Sequence, residues 1–256
     1  MTEVLRATGV TKRFAGIVAL NDVTMAIDEG ERVGLIGPNG AGKTTFFNCL
    51  LGVLPMDGGS VAIAGKDVTG VAAYRRVRAG IGRTFQRIEL FPDCTVRDHL
   101  LVAERVRRGT GRLWKDMIGL GRPTSAELAQ CDQVLGLLGL LDLADEPIER
   151  LSLGQGRLVE VGRALMTEPK LLLLDEPSSG LDRSETSALA KTLQEVQREQ
   201  GFAILLVEHD VELVTSFTER SYVLDFGRLI AEGPTREVMA SKEVRDAYLG
   251  NFEVKS

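Results

Sequence analysis

GPNGAGKTT, residues 37–45, sets glycines, a lysine and two threonines in one short run. It contains G-x-x-x-x-G-K-[ST], complete at Gly37, Gly42, Lys43 and Thr44. In such a run the glycines, here with Pro38, Asn39, Gly40 and Ala41 between them, let backbone N–H groups curl around the β-phosphate of a nucleotide. Lys43 then reaches the β and γ oxygens, and the Thr44 hydroxyl, beside Thr45, ligates Mg²⁺. An ordinary glycine turn is the plainer alternative. The flanks argue against it: ERVGLI reads as a strand before the run and TTFFNCLLGVL as a helix after it. The helix start adds partial positive charge for an anion. This is the pattern of a nucleoside-triphosphate site.

LLLLDEP, residues 171–177, is an apolar strand ending in two acids. Beside a phosphate loop, Asp175 is placed to hold the metal shell. Glu176, one residue on, can aim at the water attacking the γ-phosphate as a general base. Alone, the pair could equally open a solvated turn. With the phosphate loop present, it reads as a catalytic corner.

Elements must carry these groups to one place. Val23, Met25 and Ile27 alternate before a turn at Asp28–Gly30, so the first third reads as strands, with a helix over 43–53. GSVAIAGKDV has hairpin character and IGRTFQ reads as a short strand. From about 93 to 166 the texture is helical, interrupted at Gly109–Gly111 and Gly119–Pro123. Strict alternation follows: strand KLLLLDE, helix 182–200, strand FAILLVE, helix 210–218, then SYVLDFG and GRLIAEG. That order predicts an α/β fold, a mostly parallel sheet with helices on both faces and the middle block as an inserted lobe. Only NFEVKS reads as a loose tail.

Composition bounds the partners. The 256 residues suffice for a large core, and 31 Lys+Arg against 36 Asp+Glu argue against broad nucleic-acid binding. Cys49, Cys94 and Cys131 fit no metal spacing and read as reduced thiols in a cytosolic protein. No signal peptide and no apolar run long enough to span a membrane are evident. A membrane role would have to come through a partner.

In order along the chain, the phosphate loop, LSLGQ, LLLLDEP, SSGLD and EHD resemble the motifs of the ATP-binding cassette ATPases, nearly end to end. The resemblance implies a phosphate-loop NTPase core with an N-terminal antiparallel β region. It places the catalytic core in 1–86 and 167–256 and a helical signature subdomain in about 87–166, within one cassette domain. ATP and Mg²⁺ are the implied ligands.

The resemblance also explains LSLGQGRLVEVGRAL, residues 151–165, where a Ser, a Gly and a Gln crowd a helix start. In the family this helix start caps the γ-phosphate held by a partner subunit, so two ATP molecules are sandwiched in a head-to-tail dimer. Ser152 offers a hydroxyl, Gly154 an open N–H, Gln155 an amide and the helix end a dipole suited to anions. A plain N-capped helix is the alternative. Leu153 departs from the commoner Gly and is expected to point away from the phosphate.

Further roles carry over by position. Gln86, ending IGRTFQ, stands where a Gln contacts Mg²⁺ and water. His209 in VEHD matches the histidine that hydrogen-bonds the γ-phosphate, whereas His99 has no matching motif. Asp182 in SSGLD resembles the aspartate that crosses the dimer interface. Phe14 stands where an aromatic stacks on adenine, with core packing as its alternative.

GRTFQ, the long helical block, VLDFGRLIAEGP and VRDAYLG are similar to the ATP-binding subunits of branched-chain amino acid importers. The likeness extends to lipopolysaccharide-export and urea or short-amide transport ATPases. It implies integral membrane permease partners, a second cassette ATPase subunit (identical or paralogous) and, indirectly, a substrate-binding protein. The expected place is cytoplasmic, on the inner face of a bacterial membrane. Leu90, Phe91 and Pro92 suit docking of a permease helix if exposed, or local core if not. A soluble repair or translation cassette is the rival class; those usually carry two cassettes or a long coiled coil, and this chain has neither.

Overall fold

The computed structural model describes residues 2–84, 91, 94–108 and 123–249. Its strands are β1 (Glu3–Phe14), β2 (Ile17–Asp28), β3 (Arg32–Ile36), β4 (Gly58–Ile63), β5 (Lys66–Asp67), β6 (Ile81–Arg83), β7 (Leu171–Asp175), β8 (Ala203–Val207), β9 (Arg220–Asp225) and β10 (Arg228–Pro234). The helices are α1 (Lys43–Leu51), α2 (Ala73–Arg78), α3 (Val96–Arg108), α4 (Ser125–Leu137), α5 (Leu153–Leu165), α6 (Arg183–Gln200), α7 (Val211–Phe217), α8 (Thr235–Ala240) and α9 (Lys242–Leu249).

Among the described residues these strands form two sheets. The larger runs β10-β9-β3-β8-β7-β6, parallel from β9 to β6, with β10 antiparallel at its edge. The smaller is antiparallel, β2-β1-β4-β5. The alternation of strand and helix after residue 170 is as expected.

Unbroken leucine runs make sense at the centre of this sheet. Leu172 and Leu174 of β7, with Ile204 and Leu206 of β8, enter a core shared with α3, α4, α5 and α6. Leu171, Leu173, Ala203, Leu205 and Val207 face the opposite way, into a core with β1, β2 and α1. A strand buried on both faces has no polar side to alternate with.

β1 lies in the first third, as the expected antiparallel β region requires, but its own residues do not alternate cleanly. Val4 and Leu5 are both buried, and the pairing of β1 with β2 slips at several points between Glu3 and Arg13. Each slip inserts an extra residue and breaks the period of two that identifies a strand. Cys49 and Cys131 are buried, which pushes both thiols up to about 11; with Cys94 they are free cysteines. Among the described residues no helix is long and apolar enough to cross a membrane. Gln86, Leu90, Pro92, Gly109–Gly111, Gly119 and the NFEVKS tail lie outside the described residues.

Candidate functional site

The phosphate loop joins β3 to α1, as its flanking runs predicted. Gly37 turns the chain at a φ of 150°, and a Cβ there would lie 2.0 Å from the Leu224 carbonyl oxygen. Only glycine lets the loop seat against β9. Lys43 opens α1, almost fully buried, and its Nζ donates to the carbonyl oxygens of Gly37 (2.6 Å) and Pro38 (3.1 Å). Burial holds its pKa below the ordinary lysine value, against the opposing pull of Glu176 and Asp175. Thr44, by contrast, is exposed at the helix start.

In front of the loop lies a cavity of about 380 Å³, lined by Asn39 to Thr45, Glu176, Ala19, Gly227 and the apolar group Ile17, Val18 and Phe226. Phe226 was missed by sequence reading. It is 83% exposed and left-handed at a φ of 42°, in the turn between β9 and β10. A bulky residue seldom adopts that conformation. The turn is fixed to the phosphate loop by the Gly227 N–H, which donates to the Ala41 carbonyl at 2.9 Å. The one cue in the sequence was the dipeptide Phe-Gly between two strands.

Phe14 is exposed, so it does not pack into the core; its ring carries the Lys12 ammonium 5.4 Å from its centroid. It does not belong to the cavity lining, where Ile17, Val18 and Phe226 supply the apolar surface.

Asp175 ends β7, buried, and Glu176 follows it with a left-handed φ of 46°. Strain of that kind costs on the order of 1–3 kcal/mol and persists only where the surroundings over-determine it. Burial first, and then the neighbouring Glu176, push the Asp175 carboxyl above its ordinary pKa. His209, exposed after β8, holds Nδ1 3.9 Å from Glu176 Oε1 and 3.6 Å from Glu208 Oε2. The phosphate loop, Glu176 and His209 therefore converge at the carboxyl ends of neighbouring strands, β3, β7 and β8.

Ser152, Gly154, Gln155 and Asp182 gather elsewhere, at the N-termini of α5 and α6. Each helix begins with a capping box. Ser152 Oγ accepts from the Gln155 N–H at 3.2 Å while Gln155 Oε1 accepts from the Ser152 N–H at 2.9 Å. Asp182 and Glu185 repeat the arrangement at 2.8 and 3.1 Å. The capping role of Ser152 thus stands, and it leaves the hydroxyl proton to donate outward. The two helix starts meet: a Cβ on Gly154 would lie 3.7 Å from Glu185 Oε1. Arg157 Nη2 of α5 donates to the Ser179 carbonyl at 3.1 Å.

Phe91 is half exposed, and its N–H donates to Nε2 of the buried His99 at 2.8 Å. The two rings stack with centroids 5.9 Å apart. His99 is thus an internal anchor for the backbone at Phe91.

Comparison with known proteins places this geometry. The ABC transporter family profile matches residues 20–179, and that of the branched-chain amino acid ATP-binding cassette transporter matches residues 228–253. The high-affinity branched-chain amino acid transport ATP-binding protein LivG of Salmonella typhimurium is 37% identical, covering 96% of this chain and 97% of its own. BraF of Pseudomonas aeruginosa, of the same description, is 34% identical over 96% and 98%. Among solved structures, the ADP conformation of an ATP-binding cassette of an ABC transporter superposes with a TM-score of 0.87 at 32% identity. It covers 98% of this chain and all of the other. A nucleotide-free cassette gives 0.85 at 31% identity, over 96% of this chain and 98% of the other. The chain belongs to the ABC transporter family, as an ATP-binding cassette that hydrolyses ATP.

Proposed function

We propose that this chain drives uptake of branched-chain or related amino acids, as one ATPase subunit bound to integral membrane permeases on the cytoplasmic face of a bacterial membrane. The names of its relatives and the family match at residues 228–253 support that solute class. A substrate-binding protein outside would deliver the solute, which never meets this subunit.

The observation that carries the hydrolytic reading is Glu176, strained and facing the phosphate-loop cavity beside Lys43. In this reading the loop from Gly37 to Thr45 cradles the phosphates, and Lys43 exchanges its two carbonyl partners for phosphate oxygens. Glu176 takes the proton of the attacking water, and His209 hydrogen-bonds the γ-phosphate. Phe226, with Ile17 and Val18, offers the apolar surface of the cavity to the nucleoside, and Phe14, outside that lining, keeps the adenine-stacking role implied by the resemblance.

Mg²⁺ fits the donors present. The Thr44 hydroxyl, exposed at the start of α1, and the Asp175 carboxylate at the end of β7 are the hard oxygen donors this ion takes alongside phosphate and water. Thr44 and Asp175 are the residues that would hold it, with Gln86 as a further contact. Bound there, the ion would neutralise phosphate charge.

Ser152, Gly154, Gln155 and Asp182 lie apart from the cavity, so they would act on a second copy or a paralogous cassette. We assign Ser152, Gly154 and Gln155, carried by a signature subdomain of about residues 87–166, to the γ-phosphate of the partner subunit, and Asp182, in the catalytic core, to the contact across the dimer interface. Glu176→Gln should trap ATP and accumulate a closed dimer. Adding Gly154→Asp puts a carboxylate against the γ-phosphate and should keep the protein monomeric while each chain still binds ATP. Light scattering with Mg·ATP decides it: a double variant that dimerises rules out the assignment.

A further inference from the structure

Glu208 is fully buried and enters none of the steps above. It directly follows β8, where an apolar residue would continue the run AILLV at less desolvation cost. Its carboxylate grips two loops at once. Oε1 accepts from both the backbone N–H (3.0 Å) and the hydroxyl (2.6 Å) of Ser178. Oε2 accepts from the backbone N–H of His209 at 3.1 Å.

Ser178 stands two residues beyond Glu176, in a turn closed by the Ser179 N–H donating to the Glu176 carbonyl at 3.1 Å. On its other side the Glu176 N–H donates to the Val207 carbonyl at 2.9 Å. Glu176 is thus suspended between the end of β8 and a turn that Glu208 pins. That accounts for a left-handed conformation which a glutamate would not keep unaided.

We propose that Glu208 is a positioning residue for hydrolysis, one buried carboxylate that fixes the loop bearing Glu176 relative to the loop bearing His209. The inference rests on Glu176 and His209 acting as assigned above. A carboxylate is required because both arms accept hydrogen bonds. An amide of the same size keeps an acceptor for Ser178 and turns an NH₂ group toward the His209 N–H.

The test uses the purified full chain, with Mg·ATP binding measured by calorimetry and turnover expressed per binding site. Glu208→Gln should bind Mg·ATP at the parent's stoichiometry and within about threefold of its affinity. Its kcat per site should fall about 10- to 100-fold, the scale of a displaced catalytic group. A merely structural role would remove binding sites and leave each survivor turning over normally, and that result overturns the proposal. Ser178→Ala removes the hydroxyl arm alone and should lower kcat per site by less. If Glu208→Gln does not fold, Ser178→Ala decides on the same readout, unchanged turnover per site being the overturning result. Glu176→Gln serves as the control. Undiminished hydrolysis in that variant would refute the assignment of the base, whereas its loss beside normal turnover in Glu208→Gln would refute only the positioning role.

Discussion

Leu153 Cδ2 lies 3.0 Å from the point that a Cβ on Gly180 would occupy. The third residue of LSLGQ thus packs onto the SSGLD turn of its own chain. The departure from the commoner glycine has a partner, and Gly180, left-handed at a φ of 84°, is what makes room for it.

Gly180→Ala should therefore slow hydrolysis for two reasons. The left-handed backbone costs an alanine about 1–2 kcal/mol, and the new methyl group pushes Leu153 away. Leu153→Ala in the same chain should relieve the second part only, so the pair should couple by about 0.5–1 kcal/mol. A double-mutant cycle on kcat measures it, and simple additivity would show the contact to be idle.

Asp175→Asn should make the protein more stable and inactive together. Its folded pKa lies above the ordinary 3.8 because burial penalises the charge. Between those two values the native state binds more protons than the unfolded one, so stability falls as pH rises through that window. At neutral pH the full penalty stands. The amide should raise the melting temperature at pH 7 by about 2–4 °C for each kcal/mol recovered, the gap narrowing as pH falls toward 4. Hydrolysis should drop on the order of 100-fold or more. Calorimetric melting at several pH values, beside a phosphate-release assay, checks both halves.

His99 should make the protein acid-sensitive. Phe91 donates to Nε2, so the ring proton sits on Nδ1, 2.8 Å from the Thr95 carbonyl. Burial holds its pKa below the ordinary 6.5, with Arg163 adding to the effect and Thr95, Asp98 and Glu149 opposing it. Below 6.5 the unfolded chain takes up a proton that the native state refuses. The contribution is thus complete above that pH and lost as pH falls toward the folded value, by up to about 1.4 kcal/mol per pH unit. Melting curves from pH 7.5 to 5.5 should show a steeper decline for the parent than for His99→Gln.

Some of this site was legible because its cues are local. Gly37 to Thr45 and Asp175–Glu176 are contiguous runs whose chemistry follows from residue types at fixed spacing, and strand and helix on either side already aim them. Ser152 and Gln155 are three apart, the spacing of a capping box, so the helix start could be read as well. Glu208 could not. Its partner Ser178 is thirty positions away in sequence, and the two meet only because β7 and β8 lie side by side. Phe226 reached the cavity through a turn bonded to Ala41, a contact no periodicity announces. The first third could be read as strands, but the register between β1 and β2 could not, because it slips at four points spread over both strands.

Lys43 finally bears on what nucleotide affinity measures here. With its ammonium already satisfied by the carbonyls of Gly37 and Pro38, the loop carries its own competitor for the phosphate. In the role proposed above for Lys43, nucleotide uptake is an exchange of partners rather than the filling of a need, and its dissociation constant would report a difference between two sets of hydrogen bonds. After phosphate leaves, the lysine has a bonded arrangement to return to.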